Sequence, residues 1–76
     1  MLSNMATEEA IIHNTVHSLR TSSGVTQEDL ALAVGVTRQT IISIEKGNYT
    51  PSVLLALKLA QYFGVSVEEV FSITYE

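Results

Sequence analysis

Apolar residues in this chain fall into short groups with helical spacing, and four of these groups are each closed by a glycine. Ile12, Val16 and Leu19 fit one helical stripe. The adjacent Ile11 and Ile12 suit a short strand as well, and Asn14 is then a good N-cap. We read a strand at residues 10–13, with a helical start as the alternative, and a helix from Thr15 to Ser22 that stops at Gly24. Thr26-Gln27-Glu28-Asp29 has the pattern of a capping box with a shortened acid. It opens a helix from Gln27 to Val34 that buries Leu30, Ala31 and Val34, and Gly35 punctuates it.

Thr37 caps a third helix, Arg38 to Lys46, with Ile41 and Ile44 on one face and Gly47 at its end. Asn48-Tyr49-Thr50-Pro51 reads as a turn, because the residue before proline is pushed away from helical angles. Pro51 or Ser52 opens a fourth helix to Phe63, stopped by Gly64. Its Val53, Leu54, Leu55, Ala56, Leu57, Leu59 and Ala60 cover most of its circumference, which predicts burial on more than one side. In so small a domain a second copy is the expected cover.

Ser66-Val67-Glu68-Glu69 is a full capping box, and Val65 and Val70 have the spacing of a hydrophobic staple. A one-turn fifth helix to about Phe71 follows. Phe71-Ser72-Ile73-Thr74-Tyr75 then alternates as a strand does. A lone strand leaves its backbone unpaired, so it needs residues 10–13 or another chain. The expected fold class is all-α, five helices, with the terminal segments available for a small two-stranded antiparallel sheet. Residues 1–9 read as a loose lead-in to one domain spanning 10–76.

The 76 residues allow one domain only. There is no Cys, so neither a disulfide nor a Cys-based zinc site can stabilise it. Hydrophobic residues make up 46% of the chain, and mean hydropathy is +0.26. Both values favour self-association, in which part of the apolar surface faces another copy. No apolar run approaches the ~20 residues of a membrane span. The segment Met1–Glu9 lacks the basic and apolar regions of a secretory signal. A cytoplasmic protein that engages no membrane is expected.

Candidate chemistry is sparse. His13 and His17 are four apart and could share a helix face, but two histidines without a third strong ligand make a poor metal site. The acidic pairs Glu28-Asp29 and Glu68-Glu69 open helices, where the dipole favours them. No nucleophile–base set and no Gly-rich phosphate loop is visible, so no catalytic residue, cofactor, metal or small-molecule ligand is expected.

Two short helices joined through Gly35 form a helix-turn-helix pattern. Gln27-Glu28-Asp29-Leu30-Ala31, Gly35-Val36-Thr37-Arg38-Gln39-Thr40-Ile41, Ile44-Glu45-Lys46-Gly47 and Pro51-Ser52 strongly resemble the phage repressor/Cro (Xre-type) helix-turn-helix family. The resemblance runs from about Leu19 to Phe71, with the two-helix unit at about 27–46. It implies a transcriptional regulator, with repression the expected outcome, that binds a palindromic double-stranded operator as a homodimer.

Position by position, the resemblance places Gln27 against a phosphate and Thr37, Arg38, Gln39 and Ser43 toward the major groove. Of these, Arg38, Gln39 and Ser43 are the expected base contacts, since Arg can pair with guanine and Gln with adenine. Gln27, Thr37, Thr40, Lys46, Asn48 and Tyr49 are the expected contacts to the DNA backbone. Ile42 stands where relatives carry a polar residue. Arg20 and Glu45 match a pair that in relatives forms a salt bridge between the first and third helices.

Charge changes this picture. Four Lys and Arg stand against eight Asp and Glu, for a net charge of −4, and the pI is near 5.0. Phosphate neutralisation normally dominates affinity for DNA. Relatives are rich in Lys after the Arg20 position, whereas this chain has Thr21-Ser22-Ser23. With Arg20 paired and Lys58 on the fourth helix placed elsewhere, Arg38 and Lys46 are the cations expected on the DNA face. The competing reading is a protein-binding module, antitoxin-like or an adaptor, that uses an apolar face of the same fold.

Overall fold

The computed structural model describes residues 9–75. All of the expected lead-in except Glu9 lies outside them. The elements run β1 (Ala10–Asn14), α1 (Val16–Ser22), α2 (Gln27–Val34), α3 (Arg38–Glu45), α4 (Val53–Phe63), α5 (Val67–Val70) and β2 (Phe71–Tyr75). The result is five helices with a small two-stranded sheet.

Caps account for most helix starts. Thr26, Thr37, Ser52 and Ser66 sit in extended backbone, and their hydroxyls accept from Asp29, Thr40, Leu55 and Glu69 N–H respectively. Each such cap stabilises its helix by about 1 kcal/mol. Ser66 and Glu69 complete a reciprocal box. The expected box at Thr26 is only half formed: Thr26 accepts from Asp29 N–H at 3.0 Å, and the Asp29 carboxylate makes no return bond among the described residues. Asp is one methylene shorter than Glu, which accounts for the missing half.

The ends of α1 to α4 are each closed by a left-handed glycine. At Gly47, with φ 79°, Asn48 N–H donates to Ser43 C=O and Gly47 N–H to Ile44 C=O, both at 2.9 Å. This is the Schellman closure, and its left-handed residue favours glycine. It ends α3 at Glu45 and makes Lys46 a cap, one residue earlier than expected. Val25, Val36 and Val65, each directly after a glycine, turn back onto the core.

The start of α1 differs more from expectation. Asn14 belongs to β1, opposite Phe71, and the helix begins at Val16 rather than Thr15. Asn14 still satisfies the helix end: its Oδ1 accepts from Val16 N–H at 3.1 Å. Thr15 faces the other end of the chain, donating its N–H to Val70 C=O at 2.9 Å and its hydroxyl to Glu69 C=O at 2.8 Å. These bonds place β1 beside β2 as an antiparallel ribbon in which Ile12 opposes Ile73 and Ala10 opposes Tyr75. The strand that needed a partner therefore finds it within the chain.

The core is Val16, Leu30, Ala31, Val34, Ile41, Ile44, Leu55, Leu59, Ala60 and Val70. Helix α4 buries one side only: Val53, Leu54 and Leu57 are 77%, 64% and 52% exposed. His13 lies on β1 and His17 on α1, so the two histidines share no helix face.

Candidate nucleic-acid interface

Helices α2 and α3 pack against each other around Leu30, Ala31, Val34, Ile41 and Ile44. The turn between them is closed by Gly35 and Val36 N–H groups on Ala31 C=O, at 2.9 and 3.0 Å. Only Val36 and Thr37 separate Gly35 from α3, so the end of α2 and the start of α3 are held close together. Arg38, in the first turn of α3, borders an open hollow with Arg20, Val25, Thr26 and Gln27. Positions expected to meet a base and a phosphate thus flank one concavity.

Arg38 and Gln39 are exposed, and neither side chain has a hydrogen-bond partner among the described residues. Both keep their full donor and acceptor sets for a ligand. Ser43 is half-buried on the same helix. The Thr37 and Thr40 hydroxyls bond each other at 3.1 Å, and Thr37 also caps Thr40 N–H at 3.3 Å. Thr37 is therefore first a helix cap.

Thr40 and Tyr49 border a second hollow together with Lys58. Lys58, expected away from the DNA face, lines this same hollow. The relevant signal is spacing: Lys58 is one turn beyond Leu54, on the side of α4 that faces the α2–α3 turn. Lys46 borders a third hollow with Ile11, His13 and Asn14 at the ribbon. Asn48 is exposed beyond the end of α3. Ile42 is half-buried.

Behind this surface lies a charged cluster. Arg20 Nε donates to Glu45 Oε2 at 2.7 Å, Nη2 to Glu45 Oε1 at 3.2 Å, and Nη1 to Val25 C=O at 3.0 Å. Gln27 Nε2 also donates to Glu45 Oε1, at 3.1 Å. Burial pushes the Glu45 carboxyl up, but hydrogen bonds from Arg20, Gln27 and His17 outweigh it and hold the group below its usual range. The same hydrogen bond to Glu45 raises Arg20, against the opposing effect of burial.

His17 Nδ1 lies 3.3 Å from Glu45 Oε1 and 3.2 Å from Arg20 Nη2. Arg can only donate, so the two contacts are alternatives set by the tautomer. The amide of Gln27 has two N–H groups, and Glu45 takes one. The second, together with the free N–H groups of the first turn of α2, remains available to an anion.

A helix-turn-helix family profile matches residues 16–70. The chain is 53% identical over 58 residues to an uncharacterized helix-turn-helix-type transcriptional regulator of Methanocaldococcus jannaschii, covering 76% of this chain and 88% of the relative. It is 33% identical over 57 residues to the cryptic phage CTXphi transcriptional repressor RstR of Vibrio cholerae, covering 75% of this chain and 51% of that repressor. Among solved structures, the restriction-modification controller protein of Aeromonas hydrophila superposes with a TM-score of 0.67 at 33% identity, covering 71% of this chain and 82% of the other. These relatives and the fold are those of regulators, not of enzymes. Among the described residues no helix is long and apolar enough to cross a membrane. The chain belongs to the phage repressor/Cro (Xre-type) helix-turn-helix family of transcriptional regulators.

Proposed function

We propose that this protein is a sequence-specific double-stranded DNA-binding regulator that acts in the cytoplasm as a homodimeric repressor on a palindromic operator. The observation that carries this reading is the first turn of α3. Arg38 and Gln39 stand exposed and unpaired there, on a helix that a packed core and a closed turn hold rigid. In this reading Arg38, Gln39 and Ser43 read bases. Gln27, Thr37, Thr40, Asn48, Tyr49 and Lys46 hold the DNA backbone, and Lys58 joins Thr40 and Tyr49. The CTXphi relative is a transcriptional repressor, which supports repression here.

The dimer reading rests on an uncharged surface. Ile12, Pro51, Val53, Ala56, Val67 and Phe71 line one apolar groove between the ribbon and α4. Leu57 lies one turn from Val53, and Ile73 lies opposite Ile12, so both extend this surface. A chain of net charge −4 repels its own copies except across a neutral face. A two-fold dimer sets two recognition helices about 34 Å apart, one DNA turn, and so requires a two-fold symmetric site.

A second reading is favoured by one observation. The scarcity of cations on an acidic chain gives electrostatics little hold on DNA, while the apolar groove offers a protein partner a surface. Gel shifts against the protein's own upstream DNA at low and moderate salt separate the two. A salt-sensitive shift supports the DNA reader. No shift at either salt, with a co-purifying protein partner, supports the adaptor.

A further inference from the structure

Asn14 closes β1 and reaches out of the ribbon to two helices. Its Oδ1 accepts from Val16 N–H at the start of α1, at 3.1 Å. Its Nδ2 donates to the Ile44 carbonyl near the end of α3, at 2.9 Å, joining residues 30 positions apart. The Ile44 carbonyl also receives Gly47 N–H at 2.9 Å, so both of its lone pairs are used. The next residue, Glu45, is held by Arg20. The last turn of α3 is thus fastened at two successive residues, by its backbone to Asn14 and by its side chain to Arg20.

The two fastenings differ in stiffness. Arg20 and Glu45 are long side chains that can follow a moving helix. Asn14 is short and bonds backbone directly, so it resists rotation of α3 about its axis. Asn14 is itself set in a firm corner, because the neighbouring Thr15 bonds Val70 and Glu69 carbonyls at the start of β2. A roll of about 10° moves a side-chain tip about 8 Å from a helix axis by about 1.4 Å, more than the width of the hydrogen-bond range. Bidentate base contacts from Arg38 and Gln39 do not survive such a displacement.

We infer that Asn14 is a positioning residue for base recognition: it locks the roll of α3 to α1 and the terminal ribbon, so that Arg38 and Gln39 enter the groove in one pose. This rests on the DNA-reading proposal above. The test uses the full chain with Asn14→Asp and Asn14→Ser. Both keep an acceptor for Val16 N–H; the Asp carboxylate has no donor for Ile44, and the Ser hydroxyl, on a side chain one atom shorter, gives up the Nδ2 reach to Ile44 without adding charge. Duplexes selected from a random pool by the unaltered protein provide the operator. Binding is measured to it, to single-base variants and to unrelated DNA, together with amide hydrogen exchange.

Both variants are expected to lose fivefold or more in discrimination between operator and single-base variants. Affinity of the Ser variant for unrelated DNA should stay within twofold, while the Asp variant, which adds an anion in the hollow bordered by Lys46, is compared on discrimination alone. Exchange at Gly47 and Asn48 should speed up at least tenfold, with α4 unchanged. Unchanged discrimination in both variants, or an equal loss on all DNA, overturns the inference. If the unaltered protein selects no operator, the DNA-reading proposal fails by itself. Exchange at Gly47 and Asn48 then decides whether Asn14 holds α3, and undiminished protection overturns it.

Discussion

Arg20 and Glu45 meet with Nε 2.7 Å from Oε2, their side chains only 12% and 6% exposed. The pair joins α1 to α3, and Gln27 of α2 adds a bond to the same carboxylate. Three helices of the proposed DNA-reading unit therefore share one anion. Removing Arg20 leaves that anion nearly buried with fewer partners. Arg20→Ala and Glu45→Ala are each expected to cost about 3 kcal/mol in urea unfolding. The double variant should cost clearly less than the sum, since each single change already breaks the same contact. Additive losses would show that the two side chains act independently.

The same cluster sets a pH dependence. Glu45 is held below its ordinary value, so it binds a proton less readily folded than unfolded. Its contribution to stability is present in full above that value and is lost as pH falls through the lowered folded pKa. Glu45→Gln should therefore be less stable than the unaltered protein at pH 7, with the difference shrinking toward pH 3. A constant difference across that window would contradict this assignment.

Gly35 and Gly47 have φ of 78° and 79°, and an added Cβ at either meets nothing within 4 Å. Any penalty for alanine is thus conformational, about 1 kcal/mol. Asparagine at the same positions should cost less, because it tolerates left-handed angles. Thermal unfolding of the four variants tests this. A loss well above that figure would mean a packing role that the open space around these glycines excludes.

The helices were legible because their signals are local. Caps at Thr26, Thr37, Ser52 and Ser66 and stops at the four glycines each act within a turn, so spacing alone places them. Local pattern shows Asn14 only as a cap, because its second bond, to Ile44, crosses 30 residues that no local pattern spans. The place of Lys58 in the hollow bordered by Thr40 and Tyr49 is equally non-local, since it depends on how α4 crosses the α2–α3 turn. The strand pairing was open between an intrachain and an interchain partner, and the Thr15 bonds to the α5–β2 junction decide it.

The uncharged face of α4 predicts a dimer that a single charge can break. Val53 and Leu57 are 77% and 52% exposed, so Leu57→Lys removes no core contact and should leave the monomer folded. Light scattering at tens of micromolar should show a dimer for the unaltered protein and a monomer for Leu57→Lys, with helical content unchanged. A monomer in both cases would remove the basis for a two-fold operator.

Base reading by the first turn of α3 is a claim that two variants can separate from general DNA affinity. Gln39→Ala and Lys46→Ala are titrated against the selected operator and every single-base variant of it. Gln39→Ala should relax preference at one base position by about 1–3 kcal/mol and leave the others intact. Lys46→Ala should weaken binding to all sequences alike and flatten the salt dependence by about one phosphate contact. A uniform loss across the panel for Gln39→Ala, or no loss for either variant in folded protein, would contradict the claim.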